Sequence, residues 1–222
     1  MSEKLSGPML APKFGKPEKL VVLLHGYGSD GHDLISLAPL FQDLLPDALF
    51  IAPNAPDVCD MNPSGYQWFP LDLDRDLSRL EGAGKARPVI KGLLADLWAE
   101  TGLSARDTLL MGFSQGGMIA LDVGLRLDGS LMGIISFSGG VIDPETVQRE
   151  LLARPPVLLV HGAEDDVVPV QLSLVGCEAL KLAGVNAQFH LSPNTAHSIA
   201  QDGLEAARAF TRGAVGASRQ KV

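Results

Sequence analysis

The chain has 222 residues, 46% of them hydrophobic and 20% charged, with a formal net charge of -8 at neutral pH. That length suits one α/β domain with a full core, and the acidic balance argues against a nucleic-acid or anionic-membrane surface. No stretch approaches the roughly 18 apolar residues of a membrane span, and residues 1–19 lack a signal peptide's apolar core, so a cytoplasmic protein without stable membrane insertion is expected.

Residues 1–19 are punctuated by proline and glycine and read as a loop, with a short edge strand near Met9. Residues 20–24 are a continuous apolar run, as expected of a strand buried on both faces of a parallel sheet. The loop His25-Gly26-Tyr27-Gly28 follows. Leu34, Ile35, Leu37, Ala38, Phe41, Leu44 and Leu45 then recur at helical spacing, and residues 48–52 form a second strand. Residues 53–80 show no clear periodicity, and so long a loop is usually functional or disordered. Its Tyr66, Trp68 and Phe69 favour packing over a pocket; the plainer reading is a packed surface loop. A helix is predicted over residues 89–100, with Pro88 in its first turn. Residues 108–111 read as a buried strand and 116–127 as a helix.

Strands follow at 131–137, 156–160 and 186–191, with helices at 143–152, 170–183 and 198–212. Residues 213–222 are small and polar and are expected to be a disordered tail to a single domain spanning 1–222. Alternating strands and helices imply a mostly parallel sheet with helices on both faces, which carries its sites at the carboxyl ends of the strands. Cys59 and Cys177 have no metal-type spacing and read as free thiols.

Gly112-Phe113-Ser114-Gln115-Gly116 joins a strand to a helix and has the form G-x-S-x-G, the nucleophile elbow of serine hydrolases. Without its context it is only a glycine-rich turn. A serine hydroxyl is a weak nucleophile and needs a base, which needs a third group to orient it. In this fold the order is Ser, acid, His, which excludes His25 and His32 as the base. His197, in the loop after the last strand, fits better than His161 or His190; its plain reading is a helix-entry residue. The acid lies in Glu164-Asp165-Asp166, and spacing does not choose among the three. The oxyanion hole would use the N–H of Gln115 and one from the loop after the first central strand, for which Tyr27 is the choice.

The segments Leu24-His25-Gly26-Tyr27-Gly28-Ser29-Asp30-Gly31, Pro53-Asn54-Ala55-Pro56, Gln67-Trp68-Phe69, Gly112-Phe113-Ser114-Gln115-Gly116-Gly117, His161-Gly162-Ala163-Glu164-Asp165-Asp166-Val167-Val168-Pro169 and Ala196-His197-Ser198 together resemble the phospholipase/carboxylesterase family of α/β-hydrolases, which includes acyl-protein thioesterases. The resemblance covers about residues 20–210. It implies an α/β-hydrolase fold without a large cap domain. It places the nucleophile on Ser114, the base on His197 and the acid on Asp165, four residues before the proline of its segment. Tyr27 stands where relatives often have leucine, and Trp68-Phe69 looks like the substrate-side loop.

The expected activity is serine carboxylesterase action on esters of small to medium acyl chains through an acyl-enzyme, with no metal or organic cofactor. The expected partner is a small-molecule ester or thioester. Some members of the family form dimers, so a homodimer is compatible with the resemblance. The rival readings are an acyl thioesterase or lysophospholipase, and, in another class, a non-catalytic binding protein on the same fold.

Overall fold

The structure, a computed structural model, describes residues 5–219; residues 1–4 of the expected N-terminal loop and 220–222 of the expected tail lie outside it. In chain order the elements are β1 (Met9–Leu10), β2 (Lys19–Leu24), α1 (Gly31–Ile35), α2 (Ala38–Phe41), β3 (Ala48–Ile51), β4 (Asp57–Val58), β5 (Tyr66–Gln67) and α3 (Arg75–Thr101). They continue with β6 (Thr108–Phe113), α4 (Gln115–Gly124), β7 (Gly133–Phe137), α5 (Val147–Glu150), β8 (Val157–Gly162), α6 (Gln171–Leu182), β9 (Ala187–Ser192) and α7 (Gln201–Arg219).

The main sheet has the order β1-β3-β2-β6-β7-β8-β9, while β4 and β5 form a separate hairpin. Every pairing in the main sheet is parallel except that of β1, which lies antiparallel on the edge strand β3. The chain leaves β2 for β3 on one side and later returns to β6 on the other. The crevice at such a reversal is where doubly wound sheets hold ligands.

Alternation along the central strands sorts their side chains between two cores. Leu20, Val22 and Leu24 of β2, with Leu110, Ile134, Val157 and Leu159, pack against α3, α4 and α6. Val21 and Leu23, with Leu109, Met111, Ile135, Phe137, Leu158 and Val160, pack against α1, α2 and α7. This is why the strands read as unbroken apolar runs: neither face meets water.

Three expectations are corrected. The helix predicted from residue 89 starts at Arg75, so Pro88 lies inside it rather than in its first turn. Asp74 caps its start by accepting from the Leu77 N–H (3.0 Å), and Gly102 ends it in the left-handed region at φ 75°. Burial of Ala83, Ala86 and Ile90 in the core holds the helix through the proline, a tertiary contribution that local propensity does not contain. The single helix expected over residues 34–45 is split into α1 and α2 at Ser36-Leu37, ahead of Pro39, which sits in the first turn of α2 and has no N–H to bond back to Ile35 in a continuous helix. Residues 213–219 are not a disordered tail: they extend α7, where Ala214 is buried and Val215 packs on the core.

Candidate active site

Ser114 stands between β6 and α4 with φ 52° and ψ -118°, a conformation that L-residues rarely adopt. Two glycines make the turn sterically feasible. A Cβ on Gly112 would lie 2.2 Å from the Gly116 carbonyl oxygen, and one on Gly116 would lie 2.0 Å from the Leu24 carbonyl oxygen. The elbow therefore presses α4 directly onto the carboxyl end of β2. The Ser114 N–H donates to the Phe137 carbonyl (2.8 Å), while its side chain caps no N–H of α4, leaving the hydroxyl at the head of the helix.

Asp165 lies in the loop after β8, and its carboxylate is closed off from solvent. Oδ1 accepts from the N–H groups of Val167 (3.0 Å) and Val168 (2.8 Å). Oδ2 accepts from His197 Nδ1 at 2.7 Å. Burial alone would raise the Asp165 pKa. The His197 hydrogen bond and the two backbone donors outweigh it and hold the carboxyl below its ordinary range. Glu164 and Asp166 are exposed, so of the three acids left open by spacing only Asp165 is brought to the histidine.

His197 is only slightly exposed, and its ring packs on Phe113, the neighbour of Ser114, with centroids 4.8 Å apart. The bond to Asp165 occupies Nδ1 and leaves Nε2 as the nitrogen available for proton transfer. A cleft of about 270 Å³ opens beside this ring, lined by Leu34, Leu37, Phe113 and Ile199, with Asp33 and Ser198 among its polar residues. Of the rival bases, His190 pairs with Asp202 (2.8 Å), and His161 is buried under α6.

The loop after β2 lies against the elbow: a Cβ on Gly26 would sit 3.5 Å from the Ser114 Cβ. His25 sets its shape from inside the core. Its Nε2 accepts from the Ala55 N–H (3.0 Å), so the proton resides on Nδ1, which donates to the Gly26 carbonyl (2.7 Å). Burial lowers the His25 pKa and keeps this neutral tautomer. The Gly26 carbonyl and the Tyr27 N–H belong to one peptide plane, so holding the first orients the second. Gly28 N–H donates to Tyr66 and Ser29 N–H to Gly26, whereas, among the described residues, the Tyr27 and Gln115 N–H groups make no loop or cap bond. Burial, with a hydrogen bond to Cys59, pushes the Tyr27 phenol up to about 12.

Trp68 and Phe69, expected on the substrate side, are instead 2% and 1% exposed and belong to the core. The Gln115 side chain accepts from the Trp68 N–H (2.9 Å) and donates to the Phe69 carbonyl (2.8 Å). Trp68 Nε1 donates to the His25 carbonyl (2.9 Å). The pair thus anchors the 53–74 segment to the elbow and the His25 loop; its aromatic character reflected burial, which composition alone does not distinguish from ligand contact. Sequence reasoning also missed the tautomer-locking of His25, for which its place at the end of a buried strand was the only signal. Both cysteines are buried and free.

A profile of the phospholipase/carboxylesterase family matches residues 6–214. Acyl-protein thioesterase 1 of Gibberella zeae is 26% identical, with 96% of this chain and 97% of that protein covered. Esterase YpfH of Escherichia coli is 27% identical over 82% of this chain and 77% of its own length. Among solved structures, that of esterase PE8 is 56% identical, covers 95% of this chain and 99% of its own, and superposes with a TM-score of 0.92. With its matched profile, its full-length relatives and its parallel sheet carrying no large cap, this chain is an ester-acting hydrolase that belongs to the phospholipase/carboxylesterase family.

Proposed function

We propose that the chain is a serine carboxylesterase acting on esters of small to medium acyl chains, with Ser114, His197 and Asp165 as its triad. The observation that carries this is the 2.7 Å Asp165–His197 bond formed beside a strained, glycine-framed serine. Ser114 Oγ attacks the acyl carbonyl while His197 Nε2 takes its proton, and Asp165 orients the ring and stabilises the imidazolium that forms. The Tyr27 and Gln115 N–H groups donate to the oxyanion, each contributing on the order of 3 kcal/mol. His197 returns the proton to the departing alcohol. Water, deprotonated in turn by His197, then releases the acid and restores Ser114.

The acyl-protein thioesterase relatives favour a second reading, in which the leaving group is a thiol. Ester and thioester share the acyl-enzyme step, so the triad does not separate them. A chain-length series of matched esters and thioesters does: the carboxylesterase reading expects ester turnover that peaks at short to medium chains, and a strong preference for long acyl thioesters overturns it. For the mechanism, a fluorophosphonate probe should label the wild-type protein and not Ser114→Ala. Equal ester hydrolysis by that variant would remove Ser114 from the chemistry.

A further inference from the structure

Tyr27, whose N–H is the proposed oxyanion donor, sits in a turn that is held from outside the core as well as from inside it. The Ser29 N–H donates to the Gly26 carbonyl (3.2 Å), which closes a four-residue turn over Gly26, Tyr27, Gly28 and Ser29. Gly28 has φ 75° and Tyr27 has no positive φ, so the turn is of type II with its glycine in the third place. The hairpin of β4 and β5, which takes no part in the main sheet, folds onto this turn. The Tyr66 carbonyl accepts from the Gly28 N–H (2.9 Å), and the Tyr66 N–H donates to the Ser29 carbonyl (2.7 Å). Between the two hairpin strands, Asn62 Nδ2 donates to the Gly28 carbonyl at 2.7 Å. A Cβ on Gly65 would lie 2.1 Å from that same oxygen, so hairpin and turn meet backbone to backbone.

Asn62 is exposed, yet it is firmly placed. Its N–H donates to the Cys59 carbonyl (3.3 Å), and its carbonyl accepts from the Gly65 N–H (2.9 Å). Its Oδ1 accepts from the Ser64 N–H (3.2 Å). That N–H can only donate and the Gly28 carbonyl can only accept, which fixes the end of the amide that faces the turn.

We infer that Asn62 is a positioning residue for the oxyanion hole, acting on the Tyr27 N–H through two planar peptides. Its amide holds the carbonyl of the Gly28–Ser29 peptide. The N–H of that peptide is bound to the Gly26 carbonyl, and the N–H at the far side of the Gly26–Tyr27 peptide is the one aimed at the oxyanion. Bonds in such a row polarise one another, so donation by Asn62 also strengthens the last donor. His25 grips the Gly26 carbonyl from the core (2.7 Å), and Asn62 supplies the outer hold. The chain then leaves the hairpin through Trp68 and Phe69, whose backbone is bound to the side chain of Gln115, the other oxyanion residue. One stretch of chain thereby sets the two donors relative to each other. Asn62 has this role only within the function proposed above, with Ser114 as the nucleophile.

The test is Asn62→Asp, which keeps the size of the side chain and the acceptor for Ser64 but turns a carboxylate oxygen toward the Gly28 carbonyl. Loss of a whole oxyanion donor lowers kcat by about 10²–10³, so a donor that remains but is released from its hold should cost about 10-fold, in kcat rather than KM. Asn62→Ala lets water take the place of the amide and should cost about 3-fold; it serves as the test should the first variant not fold. A merely structural role would leave one readout unmoved, the inhibition constant of a short-chain trifluoromethyl ketone. Ser114 Oγ adds to the ketone carbon, its proton passes to His197, and the carbonyl oxygen becomes an oxyanion in the hole. The inhibition constant should therefore rise by the factor by which kcat/KM falls. In Asn62→Asp, a kcat/KM within about twofold of wild type, or an inhibition constant that stays put while kcat/KM falls, overturns the inference and leaves the proposed function standing. If Ser114→Ala retains full activity, the proposed function falls and takes this role of Asn62 with it.

Discussion

Replacing Gly116 by alanine adds one methyl group to the elbow, and the structure states what that methyl meets. Its Cβ would lie 2.0 Å from the Leu24 carbonyl oxygen and 2.5 Å from that of His25. A carbon against a carbonyl oxygen comes no closer than about 3.3 Å, so the head of α4 must move away from β2 by roughly 1.3 Å. Neither side yields easily, because Leu24 is paired in register with Gly112 and the elbow is packed under α4. Overpacking of this kind costs typically 1–3 kcal/mol, and a backbone neighbour puts Gly116→Ala at the upper end, about 3 kcal/mol. For a chain of this size that is a fall in Tm of about 6–12 °C. The shift also separates the Gln115 N–H from the Tyr27 loop, and a displacement of about 1 Å at a catalytic centre can lower turnover by about 100-fold. The assay is a thermal melt by circular dichroism together with kcat for a short p-nitrophenyl ester. Gly84→Ala is the control. Gly84 is exposed inside α3 and its Cβ would meet nothing within 4 Å, so the same substitution should raise Tm by about 2–4 °C through helix propensity. A Gly116→Ala protein that melts within 2 °C of wild type and turns over within about twofold would refute the account of the elbow.

Asp165→Asn should lower kcat by about 10⁴ with KM little changed, through loss of ring orientation and imidazolium stabilisation. The native Asp165 pKa is depressed, so its ionised form stabilises the fold above the ordinary carboxylate pKa of about 3.9 and loses that contribution as pH falls through the lower folded value. Denaturant melts of wild type and variant should accordingly converge in acid; a gap that widens there contradicts the assignment. His25→Ala strands the Ala55 N–H and the Gly26 carbonyl in the core and should cost about 2–4 kcal/mol in urea unfolding, with kcat falling more than KM rises. His25 has a lowered native pKa, so the stability gap between wild type and His25→Ala should be full above about pH 6.5 and shrink below it, as the unfolded histidine takes a proton that the folded one resists. Asp122, on α4, holds Arg87 of α3 through two hydrogen bonds (2.8 and 3.0 Å) and Arg126 at 2.6 Å with little exposure. Asp122→Ala leaves both guanidinium groups without that partner and should destabilise by about 3 kcal/mol, read as a lower urea midpoint with an unchanged m-value.

Several features were legible because they depend on neighbours in the chain. The apolar runs of β2, β6, β7 and β8 announce strands buried on both faces, and their alternation with helices implies a parallel sheet. The glycines around Ser114 mark a turn that no larger side chain fits, and chain order alone removed His25 and His32 from consideration as the base. Other features depend on residues far apart in sequence, and only the folded chain decides them. Spacing leaves Glu164, Asp165 and Asp166 equivalent and only the family resemblance singles out Asp165; the physical reason is a histidine 32 positions away that the fold brings to its carboxylate. Trp68 and Phe69 are drawn inward by Gln115, 46 to 47 positions on, so an aromatic loop that reads as a substrate wall becomes part of the core. Pro88 sits inside a helix because burial along α3 outweighs one missing hydrogen bond, and α7 runs on to Arg219 because Ala214 finds a core to enter. The hold of Asn62 on the turn around Tyr27 belongs to this second kind. Asn62 and Gly28 lie 34 residues apart and meet only where the β4–β5 hairpin folds onto the loop after β2.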